Sequence, residues 1–223
     1  MQVKIDLKIF IFALIFIFTK QISLYAFLMI FALIHECGHL LAGIAVGLKP
    51  ESIQIAPYGF SIGFKTNVDD YNKKIKNASI LSLKKIIIAS AGPFVNLLII
   101  LIVYIYYVCT KNIYLFGIGL DMIIYSNILI CVFNLIPIYP LDGGRILKEL
   151  IHIYHGIWKA HFYTNEISNI SIIVLTAISS VLILMYKNIA ILIVLVYLWV
   201  LILKENKREK NTERILKNYC KNI

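Results

Sequence analysis

Apolar residues along this chain come in long runs rather than in the stripes or alternations of a soluble core. Six runs stand out, at about 7–19, 22–47, 86–108, 113–136, 167–186 and 188–204. A helix needs roughly 20 residues to cross the hydrocarbon core of a bilayer. The runs therefore predict six transmembrane helices, the first of them short. Residues 51–66 behave differently. Apolar residues there partly alternate with small or polar ones, and Gly59 and Gly63 interrupt the run. That pattern predicts a short β-hairpin or sheet at the membrane surface. The polar stretch 67–77 reads as a loop, and the basic, aromatic segment 145–165 as a helix lying in the interface. The expected fold class is an all-α polytopic membrane protein with a small surface sheet. One domain is expected over 1–204, followed by a basic cytoplasmic tail over 205–223.

Composition supports the membrane class. The 223 residues are 60% hydrophobic and 15% charged, too few polar groups to cover a soluble domain. A net charge of +10 would raise nucleic acid as a partner for a soluble protein. Here the lysines lie between and after the apolar runs, so orientation in the lipid bilayer explains them and no nucleic-acid partner is expected. With the N-terminus in the cytoplasm, six spans leave only Lys20, Lys111 and Lys187, of 22 lysines and arginines, on the outer side. The positive-inside rule thus favours six spans with both termini cytoplasmic. Cys37, Cys109, Cys131 and Cys220 show no CxxC spacing, which excludes a disulfide framework or a cysteine zinc knuckle as the reading. The first 18 residues lack a small-residue cleavage site, so the first span is expected to be retained.

The candidate chemistry lies in the second run. His35-Glu36-Cys37-Gly38-His39 fits HExxH. Histidines at i and i+4 of a helix share one face and can bind one metal, with the intervening glutamate left as a general base for water. Chance placement produces the pattern in roughly one chain in 300 of this composition, and ionisable groups inside an apolar span are costly and usually functional. A zinc site needs a third protein ligand. The extended form with a third histidine fails, because position 45 is Ala. The other donors are Asp142, His152, His155 and His161. His152 and His155, at i and i+3, read more simply as surface histidines. Asp142 follows Asn134-Leu-Ile-Pro-Ile-Tyr-Pro-Leu and precedes Gly143-Gly144-Arg145, where two prolines and two glycines force non-helical backbone. Such backbone at membrane depth persists only when buried in protein or lining a wet cavity. Beside an incomplete site, Asp142 is the best remaining ligand.

HECGH in one span, then Ala91-Gly92-Pro93-Phe94-Val95-Asn96, then NLIPIYPLDGGR, resembles the site-2 protease family of intramembrane metalloproteases in order and spacing over nearly the whole chain. Within it, FNLIPIYPLDGGR and the small size, without an inserted PDZ domain, are most similar to the stage IV sporulation protein FB subgroup. The resemblance implies one zinc ion per chain on His35, His39 and Asp142, with Glu36 as the base. It implies that Asn96 and Asn134 help hold the substrate backbone or the oxyanion, and that the surface sheet receives an extended substrate by strand addition. It implies a membrane-associated protein substrate, in the first instance a sporulation sigma-factor precursor, with membrane inhibitor proteins as partners. The implied location is the mother-cell membrane around the forespore. That subgroup often carries a C-terminal CBS domain, and this sequence ends too early to hold one, so nucleotide control through it is not expected.

Other readings compete. A general site-2 protease would cut an anti-sigma factor or a signal-peptide remnant. A zinc transporter would spread donors along a path, whereas the other spans are nearly free of them. A non-catalytic membrane scaffold would have lost a ligand or the base, and all four residues are present.

Overall fold

The computed structural model describes residues 2–5, 17, 22–56, 59–65, 76–115, 117–186, 195, 196, 198–200, 202–204, 206 and 207. Helix α1, Ile22–Ala45, matches the second apolar run. Its 24 residues span about 36 Å at 1.5 Å per residue, enough for the hydrocarbon core. It closes on Gly47 at φ 84°, where Gly47 N–H donates to Ile44 O and Leu48 N–H to Gly43 O. Those paired bonds satisfy the last carbonyls and stop the helix.

A three-stranded sheet follows. Strands β2, Lys49–Ala56, and β3, Gly59–Lys65, form the expected hairpin, with Ile53 opposite Ile62 and a shift between Pro50 and Ser52. Strand β1, Gln2–Ile5, pairs parallel with β2, placing Val3 beside Ile53. Parallel pairing needs a long crossover, which here includes α1. The sequence reading contained no strand at 2–5.

Helix α2, Lys76–Thr110, is longer than the expected 86–108. The added residues before 86 mix Ile80, Leu81 and Leu83 with Ser82, Lys84 and Lys85, and Ser82 and Lys85 are held by polar partners on another helix. A short hairpin, β4 Tyr114–Leu115 and β5 Ile118–Gly119, precedes helix α3, Leu120–Leu135. The expected span 113–136 is therefore helical only from Leu120. The apolar residues at 113–115 belong to the hairpin, whose turn needs Gly117 at φ 79°.

Pro137 ends α3, since the residue before proline is pushed out of helical backbone. Residues 136–141 are non-helical and include a cis Tyr139–Pro140 bond. Ser168 Oγ accepts from Tyr139 N–H at 3.0 Å and donates to Thr164 O. Ile138 and Leu141 pack with Ile172, Leu198 and Ile202 in one buried cluster. This irregular segment is thus fastened from both its backbone and its side chains. Helices α4, Asp142–His155, and α5, Ile157–Tyr186, replace the single interfacial helix expected over 145–165, because Gly156 at φ 82° breaks the run. The expected span 167–186 forms the C-terminal part of α5.

Among the described residues, α1 and Ile80–Thr110 of α2 are long and apolar enough to cross a membrane, and most of each faces outward. Leu41, Ile102 and Ile173 are more than half exposed. Apolar surface on this scale is untenable in water, and lipid is its natural solvent: the chain is a membrane protein. The expected span 7–19 lies outside the described residues except for position 17. Most of 188–204, and the tail 205–223 except for positions 206 and 207, also lie outside them.

Candidate metal centre

Helical periodicity brings His35 and His39 to one face of α1, and both are buried. Asp142 reaches the same point from the first turn of α4. Three atoms converge: His35 Nε2, His39 Nε2 and Asp142 Oδ2, each 3.1 Å from the other two. Among the described residues they form the one group of three or more His, Cys, Asp or Glu able to hold a metal ion.

The surroundings fix which nitrogens face inward. Asn127 Nδ2 donates to Ile123 O at 2.8 Å. A backbone carbonyl only accepts, so the Asn127 amide has one orientation and its Oδ1 takes the bond from Asn96 Nδ2 at 3.0 Å. That turns Asn96 Oδ1 toward His35 Nδ1 at 2.6 Å. His35 must therefore carry its proton on Nδ1. His39 Nδ1 meets Ile88 O at 2.7 Å and carries its proton there for the same reason. In the neutral rings both Nε2 atoms then present lone pairs to a carboxylate oxygen.

Three acceptors at 3.1 Å with no donor among them call for a cation. Tetrahedral zinc with ligands at 2.0–2.1 Å separates them by about 3.3–3.4 Å, close to the observed triangle. Two imidazoles and one carboxylate suit zinc and leave a fourth position open. Clearance comes from Gly92 on α2: a Cβ there would lie 2.4 Å from His39 Nε2 and 2.5 Å from His35 Nε2. The residues fit the metal that the sequence implies. Arg145 Nη1 stands 3.8 Å from Asp142 Oδ1.

Glu36 is half-buried beside this group, within electrostatic reach of His39, Asp142, His35 and Arg145. Asn96 is fully buried, its oxygen facing His35 and its amide bonded to Asn127. Asn134 is half-buried near the end of α3 and donates to Ile130 O at 3.0 Å. His152 lies away from the triad, 3.0 Å from Ser82 Oγ, and His155 is exposed.

Sequence reasoning missed Asn127 and the Ile88 carbonyl. Asn127 left a signal, an amide in the middle of an apolar run; the carbonyl left none. Asn127→Leu should lower metal affinity about 10–100-fold, the usual cost of losing a group that orients a metal-ligating histidine. Chelator competition on the purified chain measures this, and unchanged affinity would remove Asn127 from the site.

Comparison with known proteins agrees with this geometry. A zinc metalloprotease of Methanocaldococcus jannaschii is 30% identical over 140 residues, covering 61% of this chain and 37% of that protein. The chain thus matches little more than a third of that relative's length. The solved structure of a site-2 protease from Methanocaldococcus jannaschii superposes with a TM-score of 0.66 at 22% identity, covering 91% of this chain and 89% of that one, a likeness of fold. The sequence profile of peptidase family M50 matches residues 23–118 and 115–179, well over half the chain and all three metal-facing residues, and the chain belongs to that family.

Proposed function

We propose that this protein is an intramembrane zinc metalloendopeptidase of the site-2 type, with a membrane-associated protein as substrate. The observation that carries the reading is the buried triangle of His35, His39 and Asp142 with Glu36 beside it, set among helices whose outer faces are apolar. Zinc bound there would lower the pKa of water to about 7 and polarise a peptide carbonyl. Glu36 takes the proton of the attacking water and returns it to the leaving amine, as a general base and then acid. Asn96 acts through His35, since both ends of its amide are engaged inside the protein. A role in holding the substrate backbone is kept for Asn134. The β2–β3 hairpin offers an edge to an unwound segment of substrate.

The substrate we propose is a sporulation sigma-factor precursor, on the likeness of FNLIPIYPLDGGR to the stage IV sporulation protein FB subgroup. Both termini are then cytoplasmic, and the site opens to water on that side. Co-expression of the chain with such a precursor, in a host lacking its own site-2 protease, tests this. Cleavage that stops on zinc chelation and resumes on zinc addition is the expected result. An intact precursor beside a cleaved anti-sigma factor would move the substrate to the general branch of the family.

A further inference from the structure

A second polar cluster lies where α2 and α4 pack together, about two turns from the metal-facing residues. Ser82 Oγ is 3.0 Å from His152 Nδ1, Lys85 Nζ donates to Glu149 Oε1 at 3.0 Å, and Glu149 Oε2 is 3.5 Å from the same His152 nitrogen. Ser82 and Glu149 are buried. Burial pushes the Glu149 carboxyl up, but hydrogen bonds with Ser82, Lys85 and His152 and the Lys85 charge outweigh it and lower the pKa. The group is held ionised in a place where an unpaired charge would be costly.

The spacing ties this cluster to the metal centre. Glu149 lies seven residues after Asp142 on α4, and Lys85 seven residues before Gly92 on α2. Gly92 is the residue whose missing side chain leaves room at the two Nε2 atoms that Asp142 faces. The helices therefore share one antiparallel register. Three residues further along, His152 meets Ser82, again in step. From its start to its middle, one face of α2 presents Ser82 and Lys85 to α4, the Ile88 carbonyl to His39, and Asn96 to His35. A slip of one turn would move Asp142 by about 5.4 Å and take its carboxylate out of ligand range. Apolar packing alone sets such a register weakly, whereas paired polar groups set it sharply, the best-attested use of such pairs.

We infer that Ser82, Lys85, Glu149 and His152 form a register clasp that holds α4 so that Asp142 reaches the metal. These are positioning residues, acting through Asp142, and the inference rests on the metalloprotease reading. Lys85 is partly exposed, so the pair adds little to stability. What it fixes is placement.

The test uses the full chain in detergent, loaded with cobalt(II), whose visible spectrum reports ligand geometry. Glu149→Gln and Ser82→Ala should each weaken cobalt affinity about tenfold, the lower end for outer-layer groups, and change the visible band. The exchange Lys85→Glu with Glu149→Lys should restore both. Metal-free melting temperature is followed alongside. Wild-type affinity and spectrum in the single variants, with only melting lowered, would overturn the clasp and leave a plain structural contact. Should Glu149→Gln fail to fold, Ser82→Ala and the exchange decide the matter by the same readouts. A wild-type chain that binds neither cobalt nor zinc would overturn the metalloprotease reading itself, a result distinct from unchanged variants.

Discussion

Glu36→Gln will keep its metal and lose cleavage by about 10²–10⁴-fold, the range for removing a positioned general base. Gln preserves the shape and polarity of the side chain and cannot carry the proton from water to the leaving amine. The metal should stay, because the three converging atoms come from His35, His39 and Asp142. Helix geometry explains how Glu36 approaches the centre without ligating. It is one residue from His35 and three from His39, so it lies about 100° round the helix from the first and about 60° from the second, and remains within electrostatic reach of both. Metal content by elemental analysis and cleavage of a co-expressed substrate together check the result. Cleavage at the wild-type rate would dismiss Glu36 as the base. Loss of metal with loss of cleavage would make it a fourth ligand instead.

The parts of the centre that were legible in the sequence are those whose spacing is itself physics. HExxH announces its face because a helix turns about 100° per residue, and Asp142 stands out because Pro137 and Pro140 before it break the helix; Gly143 and Gly144, expected to break it as well, lie within the first turn of α4. Gly143 and Gly144 show why that segment takes this composition. A Cβ at Gly144 would lie 2.4 Å from the Ile138 carbonyl carbon, so the first turn of α4 folds directly onto the backbone before it. What the sequence could not yield were partners set by tertiary packing. Asn127 lies 31 residues from Asn96, and nothing local marks the pair. The strand at Gln2–Ile5 did leave a signal, since residues 2–9 alternate polar and apolar, but that alternation runs into the apolar stretch from about 7, whose length points to a span. Only residues 76 and 77 of α2 fall within the loop expected over 67–77; Ser82 and Lys85, between that loop and the expected span from 86, are held by His152 and Glu149 on another helix.

Gly92→Ala should lower metal affinity by at least about 100-fold, the upper end for groups that surround a metal site. The added methyl would sit 2.4–2.6 Å from His39 Nε2, His35 Nε2 and His39 Cε1, well inside contact distance. The neighbours have little room to yield. His35 is held at Nδ1 by Asn96 and His39 by the Ile88 carbonyl, and both rings are buried. Either α1 moves off α2, breaking those bonds, or the rings rotate and the triangle opens. In both cases the three atoms no longer meet at one point. Alanine is otherwise favoured over glycine in a helix interior by about 1 kcal/mol, so helix propensity predicts a small gain in stability. The two expectations separate cleanly. A variant that folds, melts no lower than wild type and binds no zinc would show that Gly92 is kept for the metal. A variant with wild-type zinc affinity would mean that the helices are further apart, and the centre looser, than the 3.1 Å triangle requires.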